Sequence, residues 1–131
     1  MNDARIVFTT VGSKEEGQKI ARALVEGHAA ACVNITGPIE SVYWWQGKTE
    51  TATEHLLIIK TMANAVDRVR DIIGQLHSYE LPEIITLRVD EGSRAYLDWI
   101  AEASPARLGR TGDPRISPGE IRYESDFCKA G

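Results

Sequence analysis

The residues able to do chemistry fall into two groups. The first is the run His77-Ser78-Tyr79-Glu80-Leu81-Pro82-Glu83. A histidine and carboxylates within one loop suit borderline divalent metals. The same histidine at a helix end also suits a C-cap, where an imidazolium meets the last carbonyls. Cys32 is a second candidate metal ligand, although a cysteine opening a strand is often a small buried hydrophobe. The second group is Tyr43, Trp44, Trp45, Lys48, Glu50 and Lys60. An aromatic floor rimmed by a few charges is typical of a small-ligand cleft. On a solvated hairpin tip the same charges form cross-strand pairs, each contributing under about 1 kcal/mol. Among the other ligand-type residues, His28 reads as an exposed loop residue and His55 as a sheet-face residue. Cys128 reads as an incidental thiol.

Other chemistry is missing. There is no Gly-x-Ser-x-Gly, no phosphate-binding Gly-rich loop and no His-Glu-x-x-His. The loop Thr10-Val11-Gly12-Ser13 has one glycine, and Glu15 and Glu16 would oppose an anion at the following helix N-terminus. No nucleophile–base pair is evident, so a non-enzyme is expected. The two cysteines form no Cys-x-x-Cys and read as free thiols. A net charge of −4 gives no electrostatic reason to expect nucleic acid or an anionic membrane. The apolar runs are too short to span a bilayer, and MNDARIVFTT has no signal-peptide core. A cytoplasmic globular protein is expected.

These residues need elements to position them. Arg5 to Thr10 reads as a strand. Ser13 and Glu16 form a capping box for a helix over Lys14 to Glu26, with Gly27 at the positive-φ position beyond it. A second strand starts at Ala31-Cys32, is interrupted at Gly37-Pro38 and resumes over Ile39 to Trp45. A tight turn at Gln46-Gly47 leads into a third strand, Thr49 to Thr61. On it His55, Leu57 and Ile59 share one face, and Glu54, Leu56, Ile58 and Lys60 the other. Asn64 is a candidate cap for a helix carrying the stripe Val66, Val69, Ile73 and Leu76. Ile84 to Val89 reads as a fourth strand, and Ser93 caps a short helix with Tyr96, Leu97, Trp99 and Ile100. From Ser104 the composition shifts to glycine and proline, an extended arm in which Ile121, Tyr123 and Phe127 are candidate docking residues.

This order predicts an α+β fold: a ferredoxin-like βαββαβ antiparallel sheet with helices on one face, an extra C-terminal helix and a tail. The domain is placed at residues 1–103 and the extension at 104–131. The long apolar hairpin projects beyond the helices and predicts pairing with further copies in a cyclic homo-oligomer.

Five blocks in order carry a resemblance. They are Ala29-Ala30-Ala31-Cys32-Val33-Asn34, Ser41-Val42-Tyr43-Trp44-Trp45-Gln46-Gly47-Lys48-Thr49-Glu50, Ile59-Lys60-Thr61, His77-Ser78-Tyr79-Glu80-Leu81-Pro82-Glu83-Ile84 and Tyr96-Leu97-Asp98-Trp99-Ile100. Over about residues 5–102 the chain resembles the CutA family of divalent-cation tolerance proteins. The resemblance implies a tight homotrimer with PII-like architecture, assembled through the hairpins. It also implies a role in tolerance of copper and other divalent metals, with Cu(II) or another divalent cation as the candidate ligand. Some members have copper ligands attributed to a cysteine late in the first strand and to two consecutive histidines at the helix end. Here Thr9 or Thr10 and Leu76 stand at those positions, and His77 alone carries over. Trp45, Lys48, Glu50, Lys60, Tyr79 and Glu83 match the family cleft. The alternative expectation is a PII-like sensor binding a small anionic ligand between subunits, through Lys48, Lys60 and the aromatic floor.

Overall fold

A computed structural model of the chain describes residues 2–105. Four strands form one antiparallel sheet in the order β2-β3-β1-β4. The elements are β1 (Ala4–Val11), α1 (Lys14–Glu26), β2 (Cys32–Trp45), β3 (Lys48–Met62), α2 (Val66–Leu76), β4 (Ile85–Arg88) and α3 (Arg94–Ala103). The strand–helix–strand–strand–helix–strand order expected from the sequence is present. Expectations for the arm, including Ile121, Tyr123, Phe127 and Cys128, lie outside the described residues.

The helix-facing side of the sheet follows strict alternation. Val7 and Val11 on β1 and Leu57 and Ile59 on β3 are fully buried against Ile20, Leu24, Val69 and Ile73. Burying each such aliphatic side chain stabilises the fold by about 1.5–3 kcal/mol. Gly17 brings α1 close to the sheet, because a Cβ there would stand 3.2 Å from Leu57 Cδ1 and Val11 Cγ2. The other face, with Ile6, Phe8, Leu56 and Ile58, is only half-buried. At its far end α3 packs against β3 and β1, and Lys60 Nζ lies 5.8 Å from the Tyr96 ring centroid.

The hairpin pairs Trp45 with Lys48 across a two-residue turn. Gln46 (φ 50°) and Gly47 (φ 84°) are both left-handed, as a primed turn matching strand twist requires. The expected break is a register shift between Ile35 and Pro38. Thr36 repairs the ladder there: its hydroxyl accepts from the Leu56 amide at 2.9 Å, and its carbonyl lies 3.0 Å from His55 Nδ1.

Several local expectations need correction. Gly27 has φ −85°, and His28 takes the positive φ of 58° instead. Gly27 is needed for space, since a Cβ would approach the Ala23 carbonyl to 2.9 Å. His28 is half-buried rather than exposed, with Nδ1 3.2 Å from the Ala103 carbonyl, which ties the loop after α1 to the end of α3. Asn64 does not cap α2: it lies within a 3-10 turn over Ala63–Ala65, and Ala65 stands at the N-cap without a side-chain bond. Ser13 accepts from the Glu16 amide at 3.1 Å, but the Glu16 carboxylate leaves the capping box to bind the loop after α2.

Candidate functional site

Pro82 and the end of α2 leave residues 77–84 outside regular structure. This loop is anchored at His77, whose side chain is fully buried. Its Nε2 lies 2.7 Å from the Thr10 carbonyl, and its Nδ1 lies 3.1 Å from the Tyr79 amide. A carbonyl only accepts and an amide only donates, so the hydrogen sits on Nε2 and Nδ1 offers a lone pair. Glu16 Oε2 stands 3.3 Å from Nδ1 and accepts from the Ser78 amide at 2.9 Å; Glu16 Oε1 accepts from the Ser78 hydroxyl at 2.8 Å. Helix α1, the end of β1 and the loop are thereby tied together.

The anchoring aims Tyr79 around the end of β1. Its hydroxyl passes close to Gly12, where a Cβ would sit 3.3 Å away, and donates to Glu54 Oε2 at 2.6 Å. Burial first, and then the Glu54 carboxylate, push the Tyr79 phenol well above its ordinary range, so it remains a donor. Glu54 is 7% exposed, and no cationic side chain forms an ion pair with it among the described residues.

Glu54 and Tyr79 border an open pocket of about 670 Å³. Ser41, Tyr43 and Trp45, with Val42 at the ribbon edge, form the hairpin side, Glu80, Leu81 and Glu83 the loop side, and Thr10 the strand between. Cross-strand pairing explains the choice. Ile39 pairs with Glu54, Ser41 with Ala52, Tyr43 with Glu50 and Trp45 with Lys48, so these residues share one face. Trp44 points to the other face, where it is 70% exposed, and does not line the pocket.

The sequence-predicted site residues are therefore divided. Tyr43, Trp45, Tyr79 and Glu83 meet at the pocket, whereas Trp44, Lys48, Glu50 and Lys60 are absent from its lining. Lys48 Nζ pairs with Glu50 Oε2 at 3.4 Å near the hairpin tip. Lys60 is six residues along β3 from Glu54, roughly 20 Å away at strand rise. Cys32 is buried and pairs in register with Lys60, while the His77 contact at Thr10 lies level with Leu56. Four strand residues, roughly 13 Å, separate these rungs. Sequence reading missed the pocket role of Glu54 and Glu80. Alternation sets Glu54 on the face of Leu56, Ile58 and Lys60, which gives its side of the sheet but not its partner Tyr79.

The fit to a metal is poor within one subunit. Among the described residues, no three His, Cys, Asp or Glu side chains gather to hold a metal ion. Both His77 ring nitrogens are engaged, and a metal on either would displace a hydrogen bond. The pocket carboxylates supply negative charge rather than a chelate. No described helix is long and apolar enough to cross a membrane.

Comparison with known proteins identifies the family. The family model for the CutA1 divalent ion tolerance protein matches residues 5–103. The chain is 44% identical over 97 residues to the divalent-cation tolerance protein CutA of Thermus thermophilus, covering 74% of this chain and 94% of that protein. It is 41% identical over 99 residues to the chloroplastic Protein CutA 1 of Oryza sativa subsp. japonica, covering 76% of this chain but only 56% of the rice protein. The solved structure of the periplasmic divalent cation tolerance protein CutA from Archaeoglobus fulgidus superposes with a TM-score of 0.75 at 42% identity, covering 77% of this chain and 98% of that one. The family-model match spans both the sheet and the pocket loop, and on that ground the chain belongs to the CutA1 divalent ion tolerance family.

Proposed function

We propose that the protein acts as a cytoplasmic homotrimer in the response to divalent cations, built from ferredoxin-like subunits in a PII-like arrangement, and that it binds cations at the pocket between hairpin and loop. The observation carrying this reading is the sign of the pocket. Glu54, Glu80 and Glu83 line it, and among the described residues no lysine, arginine or histidine does. Oxygen donors of this kind suit hard divalent cations, and copper would need nitrogen or sulfur ligands in addition. A bound ion would need donors beyond these carboxylates, since no three metal-ligating side chains gather among the described residues. The trimer reading is supported by the apolar side chains left bare on the single chain, including Trp44 on the hairpin and Ile85 and Leu87 on β4. No catalytic role is proposed.

The alternative, a small anion held in the cleft, needs Lys48 and Lys60 there. The first pairs with Glu50 and the second lies over Tyr96. Calorimetric titration of the full chain with Cu(II), Mn(II) and Mg(II), and separately with citrate and a nucleotide, separates the two readings. Binding of divalent cations without the anions is expected. Binding of the anions alone would replace this reading with the alternative.

A further inference from the structure

The pocket has three features that a bare metal ion does not explain. It is large, about 670 Å³. Its carboxylates do not converge with a third donor into a chelate among the described residues. Its walls are aromatic, with Tyr43 and Trp45 on one side and Tyr79 on the other. At its edge Glu54 is more than nine-tenths buried, and among the described residues its carboxylate accepts one hydrogen bond, from the Tyr79 hydroxyl. A carboxylate taken out of water is costly unless an opposite charge accompanies it. Among the described residues no side chain supplies that charge to Glu54.

An organic ammonium ion meets all three conditions. It brings its own hydrogen-bond donors, so it needs acceptors but no coordination geometry. Its charge is attracted to the faces of tyrosine and tryptophan rings. Its carbon chain fills apolar space that a hydrated metal leaves empty. Glu80 and Glu83, exposed on the loop, offer a second negative position at the mouth. We infer that this pocket binds a small aliphatic amine, its ammonium group paired with Glu54 and its chain lying against Tyr43 and Trp45. This rests on the reading of the pocket as a cation site and names an organic class of cation for it. The phenol of Tyr79, held as a donor, keeps Glu54 oriented without neutralising it.

The test is a titration of the full chain with 1,4-diaminobutane, followed by calorimetry and tryptophan fluorescence. The neutral isostere 1,4-butanediol and Mn(II) are titrated in parallel. Saturable binding of the diamine without binding of the diol is expected. Glu54→Gln keeps the acceptor for Tyr79 and should weaken the diamine about tenfold, the scale of a charge-assisted hydrogen bond. Trp45→Leu should weaken it by about threefold, because it removes the aromatic face that the chain and the diamine's second ammonium group meet. Glu83→Gln changes an exposed residue, so it tests the charge at the mouth without risk to folding. Equal binding of diol and diamine would overturn the inference, as would wild-type diamine affinity in both Glu54→Gln and Glu83→Gln. Mn(II) binding without diamine binding would overturn it while leaving the cation reading intact. Diamine binding without Mn(II) binding would uphold it and remove the metal from the pocket.

Discussion

The Tyr79 hydroxyl reaches 2.6 Å from the Glu54 carboxylate, joining the loop after α2 to the middle of β3 around the end of β1. That bond lies at the border of the pocket, and burial first, then the Glu54 carboxylate, raise the titration of the phenol. Its titration is raised, so the folded state holds this proton more tightly than the unfolded state does. The associated stability is whole below the ordinary tyrosine value of about 10 and declines as pH rises from there towards the raised value. Tyrosinate absorbance, followed at a pH about one unit above the ordinary tyrosine value, should show one of the four tyrosines still protonated while the protein remains folded. Tyr79→Phe should abolish that resistant step. All tyrosines titrating together in the folded wild type would refute the contact.

Thr9 makes a prediction of opposite sign. Its side chain is fully buried on the helix-facing side of β1, and its hydroxyl has no hydrogen-bond partner among the described residues. Valine has the same shape without the polar group. Thr9→Val should therefore stabilise the protein by about 1 kcal/mol in denaturant unfolding. A loss of stability of that size would mean that the hydroxyl has a partner such as an ordered water.

Glu16 links two elements that sequence spacing keeps apart. Its carboxylate accepts from both the amide and the hydroxyl of Ser78. Glu16→Ala should cost about 1–2 kcal/mol and should raise hydrogen exchange at the Ser78 and Tyr79 amides more than elsewhere in the loop. Uniform exchange changes across α1, with the loop unaffected, would instead assign Glu16 to helix capping alone.

The hairpin carries the assembly prediction. Trp44 is 70% exposed and Trp45 37% exposed on a single chain, and they face opposite sides of the ribbon. One therefore lines the pocket, and in the proposed trimer the other meets a neighbouring copy. Trp44→Ser should dissociate the proposed trimer or cause aggregation, as read by size-exclusion chromatography with light scattering. Trp45→Ser should alter ligand binding more than mass. An intact trimer in the Trp44→Ser, Trp45→Ser double variant would remove the hairpin as the assembly element.

The fold was legible because its signals are local. The 3.6-residue stripe of Val66, Val69 and Ile73 and the alternation through Leu57 and Ile59 are read directly, and so is the turn at Gln46-Gly47. What failed was competition between local and distant partners. Glu16 had a capping partner in its own turn yet bonds to Ser78, 62 residues away. Gly27 was read for its φ when the constraint was the Ala23 carbonyl. The site was only half legible for a related reason. The aromatic run stood out as a block, but alternation sends Trp44 away from Tyr43 and Trp45. Glu54 enters the site only because Tyr79 comes around the end of β1, a relationship no spacing along the chain encodes.

The central claim is that cations are drawn to the pocket carboxylates and that His77 holds the loop. Calorimetric titration of Cu(II) and Mn(II) into wild type, His77→Gln and the Glu80→Gln, Glu83→Gln pair tests it most directly. The paired carboxylate variant should lose divalent-cation affinity, while His77→Gln should lose stability but keep binding. Unchanged affinity in the carboxylate variant, together with lost binding in a folded His77→Gln, would contradict it.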